Sequence, residues 1–137
     1  MIDDPPYGTA DTTFQSAGGE AGVRRLVDTF YDTMGNNKKY RRIWDWHPPE
    51  NKVSRDKLSR FLCAWMGGPR LYNDKYGPIS IPFAHAHLGV TEVERDLWLA
   101  CMEEALAQQS YADSLVSYLR KELAVPAERI RQVGANR

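Results

Sequence analysis

In four stretches of this 137-residue chain the apolar residues recur every three or four positions, the spacing of one face of an α-helix. Val23, Leu26, Val27, Phe30 and Met34, with Tyr31 beside Phe30, predict a helix after the Gly18-Gly19 pair. It should stop near Gly35-Asn36-Asn37, where glycine and asparagine tolerate the left-handed turn that ends helices. Ser54, Leu58, Phe61, Leu62 and Trp65 share a face and predict a second helix over about 54–66, closed by Gly67-Gly68-Pro69. Thr91-Glu92-Val93-Glu94 has the form of a capping box, Thr91 as N-cap and Glu94 reaching back to it. It opens a third helix over about 92–108, bearing Val93, Leu97, Trp98, Cys101, Met102 and Ala105. A fourth, over about 111–123, carries Tyr111, Leu115, Tyr118 and Leu119, and Pro126 is expected to break or kink it before a short tail helix with Ile130 and Val133.

No segment alternates apolar and polar residues as a half-buried strand would, so the chain reads as all-α. The proline-rich start predicts a disordered lead-in over 1–11, followed by one domain over 12–137. Gly77, Pro78 and Pro82 make 70–84 read as a long ordered loop. Lysines and arginines number 18, as do aspartates and glutamates, which argues against a nucleic-acid or membrane-binding surface, since both need excess positive charge. No signal-peptide pattern opens the chain and no apolar run approaches the roughly 20 residues of a membrane span. Cys63 and Cys101 lie within apolar helical patterns and lack metal-site spacing, consistent with buried thiols in a reducing cytoplasm. The expected state is a monomer or weak dimer. Four Trp, seven Tyr and four Phe are a heavy load that suits either an ordinary core or a large flat cofactor.

Two of the three histidines stand in "GPISIPFAHAHLGV", residues 77–90. A histidine pair at i and i+2 can share a metal from a strand, but Pro82 before it and the capping box after it speak against a strand. On a helix the two rings would diverge by about 200°. One imidazole acting alone therefore fits better than two, and a lone imidazole suits the fifth position of haem iron. The competing reading is a solvated or core histidine.

"FLCAWMGGPRLYNDKYG", followed by histidine and then "ERDLWLACM", resembles the group II truncated haemoglobins, and "LVDTFYDTM" and "HPP" extend the likeness over roughly residues 12–125. The resemblance implies a truncated globin fold, a two-over-two helical sandwich enclosing a haem b (iron protoporphyrin IX). Members of that group place the proximal histidine eight positions after the loop glycine and thirteen before the tryptophan of the E-R-D-x-W motif; Gly77 and Trp98 both give His85. His87 is left as a neighbour of undecided role. On the distal side the likeness implies Tyr31, Trp98 and His47 as polar groups and Ser54 and Leu58 overlooking the pocket. It also implies Phe61, Leu62, Ile81 and Met102 as pocket walls. The group usually carries arginines beside the proximal histidine; here those positions are Pro82 and Ala84, so Lys57 and Tyr72 are the candidates to meet the haem carboxylates.

What the resemblance implies is binding of O2, NO, CO or another small ligand by a haem protein with a single protein ligand. Tyr31, Trp98 and His47 are expected as three hydrogen-bond donors. Peroxide reduction or nitric oxide detoxification with an external reductase is the enzymatic alternative. A haem-free all-α interaction module is the third.

Overall fold

The structure, a computed structural model, describes residues 6–81 and 85–135. Its principal helices are α1 (Thr12–Ser16), α2 (Gly19–Asn36), α3 (Arg41–Trp44), α4 (Lys52–Trp65), α5 (Leu71–Tyr76), α6 (Glu92–Ala107) and α7 (Asp113–Ala135). Single 3-10 turns at Lys38–Tyr40 and Ala86–Leu88 complete it, and no strand occurs among the described residues. α2 packs on α4 and on α6, and α6 packs on α7, so one helix pair lies over another in a two-over-two sandwich. The core between them holds Val23, Leu26, Val27, Phe30, Met34, Leu62, Cys63, Cys101, Met102, Leu106, Leu115 and Leu119. Among the described residues no helix is long and apolar enough to cross a membrane.

The predicted helix ends rest on local bonds that the sequence signals. Met66 closes α4, Gly67 turns left-handed at φ +91°, Gly67 N–H donates to Ala64 O at 3.0 Å and Gly68 N–H to Cys63 O at 2.8 Å. This is the paired-bond cap that glycine permits. A β-carbon on Gly67 would lie 2.0 Å from the Ala10 carbonyl oxygen. Gly67→Ala therefore combines left-handed strain with a backbone clash, and is expected to cost about 2–4 kcal/mol. Thermal unfolding should register this as a loss of roughly 10 °C in Tm. The capping box of α6 forms as expected: Thr91 N–H donates to Glu94 Oε1 at 2.7 Å and Thr91 Oγ1 accepts from Val93 N–H at 3.3 Å.

Two expectations, the loop over 70–84 and the break at Pro126, are corrected. Within 70–84, read as loop, residues 71–76 form α5; a six-residue helix is too short to display a period. It is held instead by Tyr72 against Tyr76, ring centroids 5.1 Å apart, and by Lys75 and Tyr76 reaching Asp56 on α4. Pro126 does not end the last helix, because Leu115, Leu119, Leu123 and Ala127, at four-residue steps across it, are all buried and carry α7 through the missing N–H. Residues 7–13, partly within the expected lead-in, make definite contacts. The Tyr7 ring lies 5.2 Å from that of Tyr118, Tyr7 and Ser114 hydroxyls bond at 2.8 Å, and Gly8 N–H donates to Thr13 Oγ1 at 2.9 Å.

Candidate functional site

His85 is half-buried and directly precedes the 3-10 turn Ala86–Leu88. Its Nδ1 lies 2.8 Å from the Ile81 carbonyl oxygen. A carbonyl only accepts, so Nδ1 carries the proton and the lone pair of a neutral ring sits on Nε2. That is the tautomer a metal-ligating imidazole needs, oriented by a backbone partner. His87, two residues on, is exposed within the turn. The two rings thus occupy different environments. Pro82 and Ala84, which replace the usual arginines, lie outside the described residues.

α2 delivers Tyr31, 5 % exposed, and among the described residues its hydroxyl has no hydrogen-bond partner. Burial pushes its pKa up to about 12, with the Arg55 charge pulling the other way, so the phenol stays protonated at neutral pH. His47 meets Tyr31 edge to face, centroids 5.4 Å apart at 90°. Its Nδ1 lies 2.8 Å from Ile43 O. Burial lowers its pKa; contacts with the Ile43 and Trp44 backbone oppose that, and the nearby His85 ring adds to it. With its Nδ1 directed at the Ile43 carbonyl and burial favouring the neutral ring, His47 leaves Nε2 as an acceptor. Phe30 packs edge-on against both Tyr31 and Trp98, centroids 5.3 Å and 5.2 Å away. Cys101 Sγ–H on α6 donates to the Phe30 carbonyl at 3.4 Å, tying the two helices at this point.

The α3 segment that carries the Ile43 carbonyl is itself anchored. Arg42 pairs with Glu94, a carboxylate 3 % exposed that also caps α6. Burial disfavours the charge on Glu94, but the Thr91 and Arg42 contacts outweigh it and hold its pKa below the ordinary range. Ser54, Leu58, Phe61 and Ile81 are half-buried, whereas Leu62 and Met102 are 1 % exposed. Leu62 and Met102, expected as pocket walls, belong to the buried core.

Lys57 is exposed, with Nζ 5.3 Å from the Tyr76 ring centroid, and Tyr76 is stacked on Tyr72. Lys57 and Tyr72 thus belong to one cluster at the α4–α5 edge. Asp56 organises that edge, accepting from Tyr76 at 2.7 Å, Arg24 and Lys75 at 2.9 Å and Arg60 at 3.0 Å. Burial works to raise its pKa, yet these four donors hold it well below the usual carboxylate range. Sequence reasoning missed Arg55, whose guanidinium carbon lies 5.5 Å from the Tyr31 ring centroid. The available signal was the Asp28 and Asp32 pair flanking Tyr31 on α2.

Comparison with known proteins accords with this geometry. The sequence profile of the family described as bacterial-like globin matches residues 12–131. Over 88 residues the chain is 31 % identical to the group 2 truncated hemoglobin YjbI of Bacillus subtilis (strain 168), a match covering 64 % of each chain. Among solved structures, the cold-adapted truncated hemoglobin of the Antarctic marine bacterium Pseudoalteromonas haloplanktis TAC125 superposes with a TM-score of 0.83 at 27 % identity, over 86 % of this chain and 95 % of that one. The group II truncated hemoglobin of Bacillus anthracis gives 0.80 at 25 % identity, over 93 % and 92 %. With its two-over-two helical sandwich, the chain belongs to the bacterial-like globins and, among them, resembles the group II truncated haemoglobins.

Proposed function

We propose that the chain binds haem b through His85 Nε2 as its single protein ligand and holds a small diatomic molecule against Tyr31 and Trp98. The observation that carries this reading is, in a chain of the globin family, an imidazole oriented by Ile81 together with a buried phenol, Tyr31, that lacks a hydrogen-bond partner among the described residues. The donor set fits haem: one neutral imidazole nitrogen, aromatic and aliphatic walls from Leu58, Phe61 and Trp98, and a cation with a phenol at the edge. Haem, when bound, supplies an iron that takes diatomic gases such as O2.

Lys57 and Tyr72 meet the haem carboxylates, standing in for the arginines absent before His85. The Tyr31 hydroxyl and the Trp98 indole N–H donate to a ligand that gains negative charge, and in a water-poor pocket such fixed donors act more strongly than in water. His47 orients Tyr31 and offers an acceptor. The high pKa of Tyr31 keeps it a donor and not an anionic ligand.

Titration of the purified chain with hemin tests the reading; a Soret band that stays as broad and unshifted as that of free hemin at one equivalent would overturn it. The donor role has its own test. Tyr31→Phe removes a hydrogen bond to a charged partner, about 1.5–3 kcal/mol, so O2 should dissociate roughly ten- to a hundredfold faster. Stopped-flow measurement showing a rate within twofold of wild type would remove Tyr31 from the mechanism.

A further inference from the structure

Arg55 stands next to Ser54 on α4 and reaches across the α4–α2 seam rather than out into solvent. Its Nε donates to Asn51 Oδ1 at 2.9 Å, Nη1 to the Asp28 carbonyl at 3.3 Å and carboxylate at 3.2 Å, and Nη2 to Asp32 Oδ1 at 2.8 Å. Asp28 and Asp32 are one helical turn apart and flank Tyr31 on α2, three residues before it and one after. The guanidinium so held lies over the Tyr31 ring, while His47 takes the ring edge-on from another side. Phe30 closes a third side. Two of these contacts are rings fixed by packing. The third is an ion-paired clasp whose carboxylates, 50 % and 62 % exposed, stand in water, with the arginine side chain 22 % exposed.

We infer that Arg55 is a positioning residue for Tyr31: clasped to Asp28 and Asp32, it latches the α2–α4 seam over the phenol and fixes the direction of its hydroxyl. The inference rests on the proposed reading only in taking Tyr31 as the ligand-facing group; the latch itself rests on the contacts above. A cover held by exposed carboxylates is weakened by salt, because charges in water are screened beyond about 8–10 Å at physiological ionic strength and over shorter distances in more concentrated salt. The seam is therefore an ionic-strength-sensitive cover on the distal side. Arginine suits the role because its planar fork can bond several acceptors while stacking on an aromatic face, which a lysine ammonium cannot do.

Acetylation of tyrosines with N-acetylimidazole, read peptide by peptide by mass spectrometry on the protein as purified, tests the latch independently of iron. In wild type at low salt the Tyr31 hydroxyl should be protected. Arg55→Met should acetylate it at least tenfold faster, as should the double variant D28N/D32N, which removes the anchors without touching the arginine. Molar salt should accelerate the reaction in wild type and leave Arg55→Met unchanged, which separates an opened seam from a globally loosened fold. Arg55→Lys should restore protection only in part. In the CO-loaded protein, infrared spectra of Arg55→Met should add a second C–O stretching band near that of Tyr31→Phe. A chain that takes up no haem would sink the proposed function and leave acetylation to decide the role of Arg55. Acetylation within twofold of wild type in Arg55→Met, whatever its melting temperature, would overturn the inference and reduce Arg55 to a structural tie.

Discussion

His85→Ala is expected to strip the chain of haem, whereas His87→Ala should leave retention within about twofold of wild type. The variant deletes the one nitrogen that the Ile81 carbonyl holds in ligating form. Removing only a ligand's hydrogen-bond partner weakens metal sites by roughly 10- to 100-fold, and removing the ligand itself must exceed that. His87 is exposed in the 3-10 turn and has no comparable partner among the described residues. Transfer of haem to an excess of a colourless apoglobin, followed by absorbance, measures both rates. Millimolar imidazole should slow the loss from His85→Ala by refilling the vacated position, and should do nothing to His87→Ala. The opposite ranking, with haem lost from the His87 variant, would discard the proximal assignment.

Phe30→Ala should be the most damaging single truncation of the core. The side chain is completely buried, and it packs on Tyr31 and Trp98 at once. Burial of a phenylalanine and the cavity left by its loss together amount to about 3–5 kcal/mol, against a total stability of roughly 5–15 kcal/mol for a domain. Urea denaturation should show a midpoint that falls steeply at nearly constant slope. Phe30→Leu, which keeps most of the volume, should cost less than about 1.5 kcal/mol. It nonetheless removes the ring that spaces Tyr31 from Trp98, so its O2 dissociation should resemble that of a donor variant. A Phe30→Leu protein with wild-type ligand kinetics would show that Phe30 is only filler.

The long helices were legible because α2 and α4 each bury one face against the rest of the molecule, and a single buried face writes its period into the chain. α6 was legible more by its cap than by its period. α1 and α5 were not, since five or six residues are held by partners distant in sequence, such as Asp56 for Tyr76. Pro126 misled because local chemistry forbids what the buried row Leu119, Leu123 and Ala127 enforces. At the site, residue type and spacing pointed to Tyr31, Trp98 and His85 through their likeness to one family, and the geometry supplied what spacing cannot: which nitrogen carries a proton. The acceptor character of His47 Nε2 follows from the Ile43 carbonyl at Nδ1 together with the burial that favours the neutral ring. Arg55 was harder to find because, although Asp28 and Asp32 flank Tyr31 in the sequence, its pairing with them lies across a helix crossing whose angle no linear pattern records.

The sulfur of Cys101 has a consequence for durability. Only the thiolate of a cysteine is readily oxidised. Burial pushes the Cys101 thiol up to about 12, the neighbouring Glu104 adds to the effect, and its proton is engaged by the Phe30 carbonyl. Cys63, likewise buried, is pushed up to about 11. The fold thus keeps both of its thiols chemically silent, sealed within the same core that supports Tyr31 and Trp98.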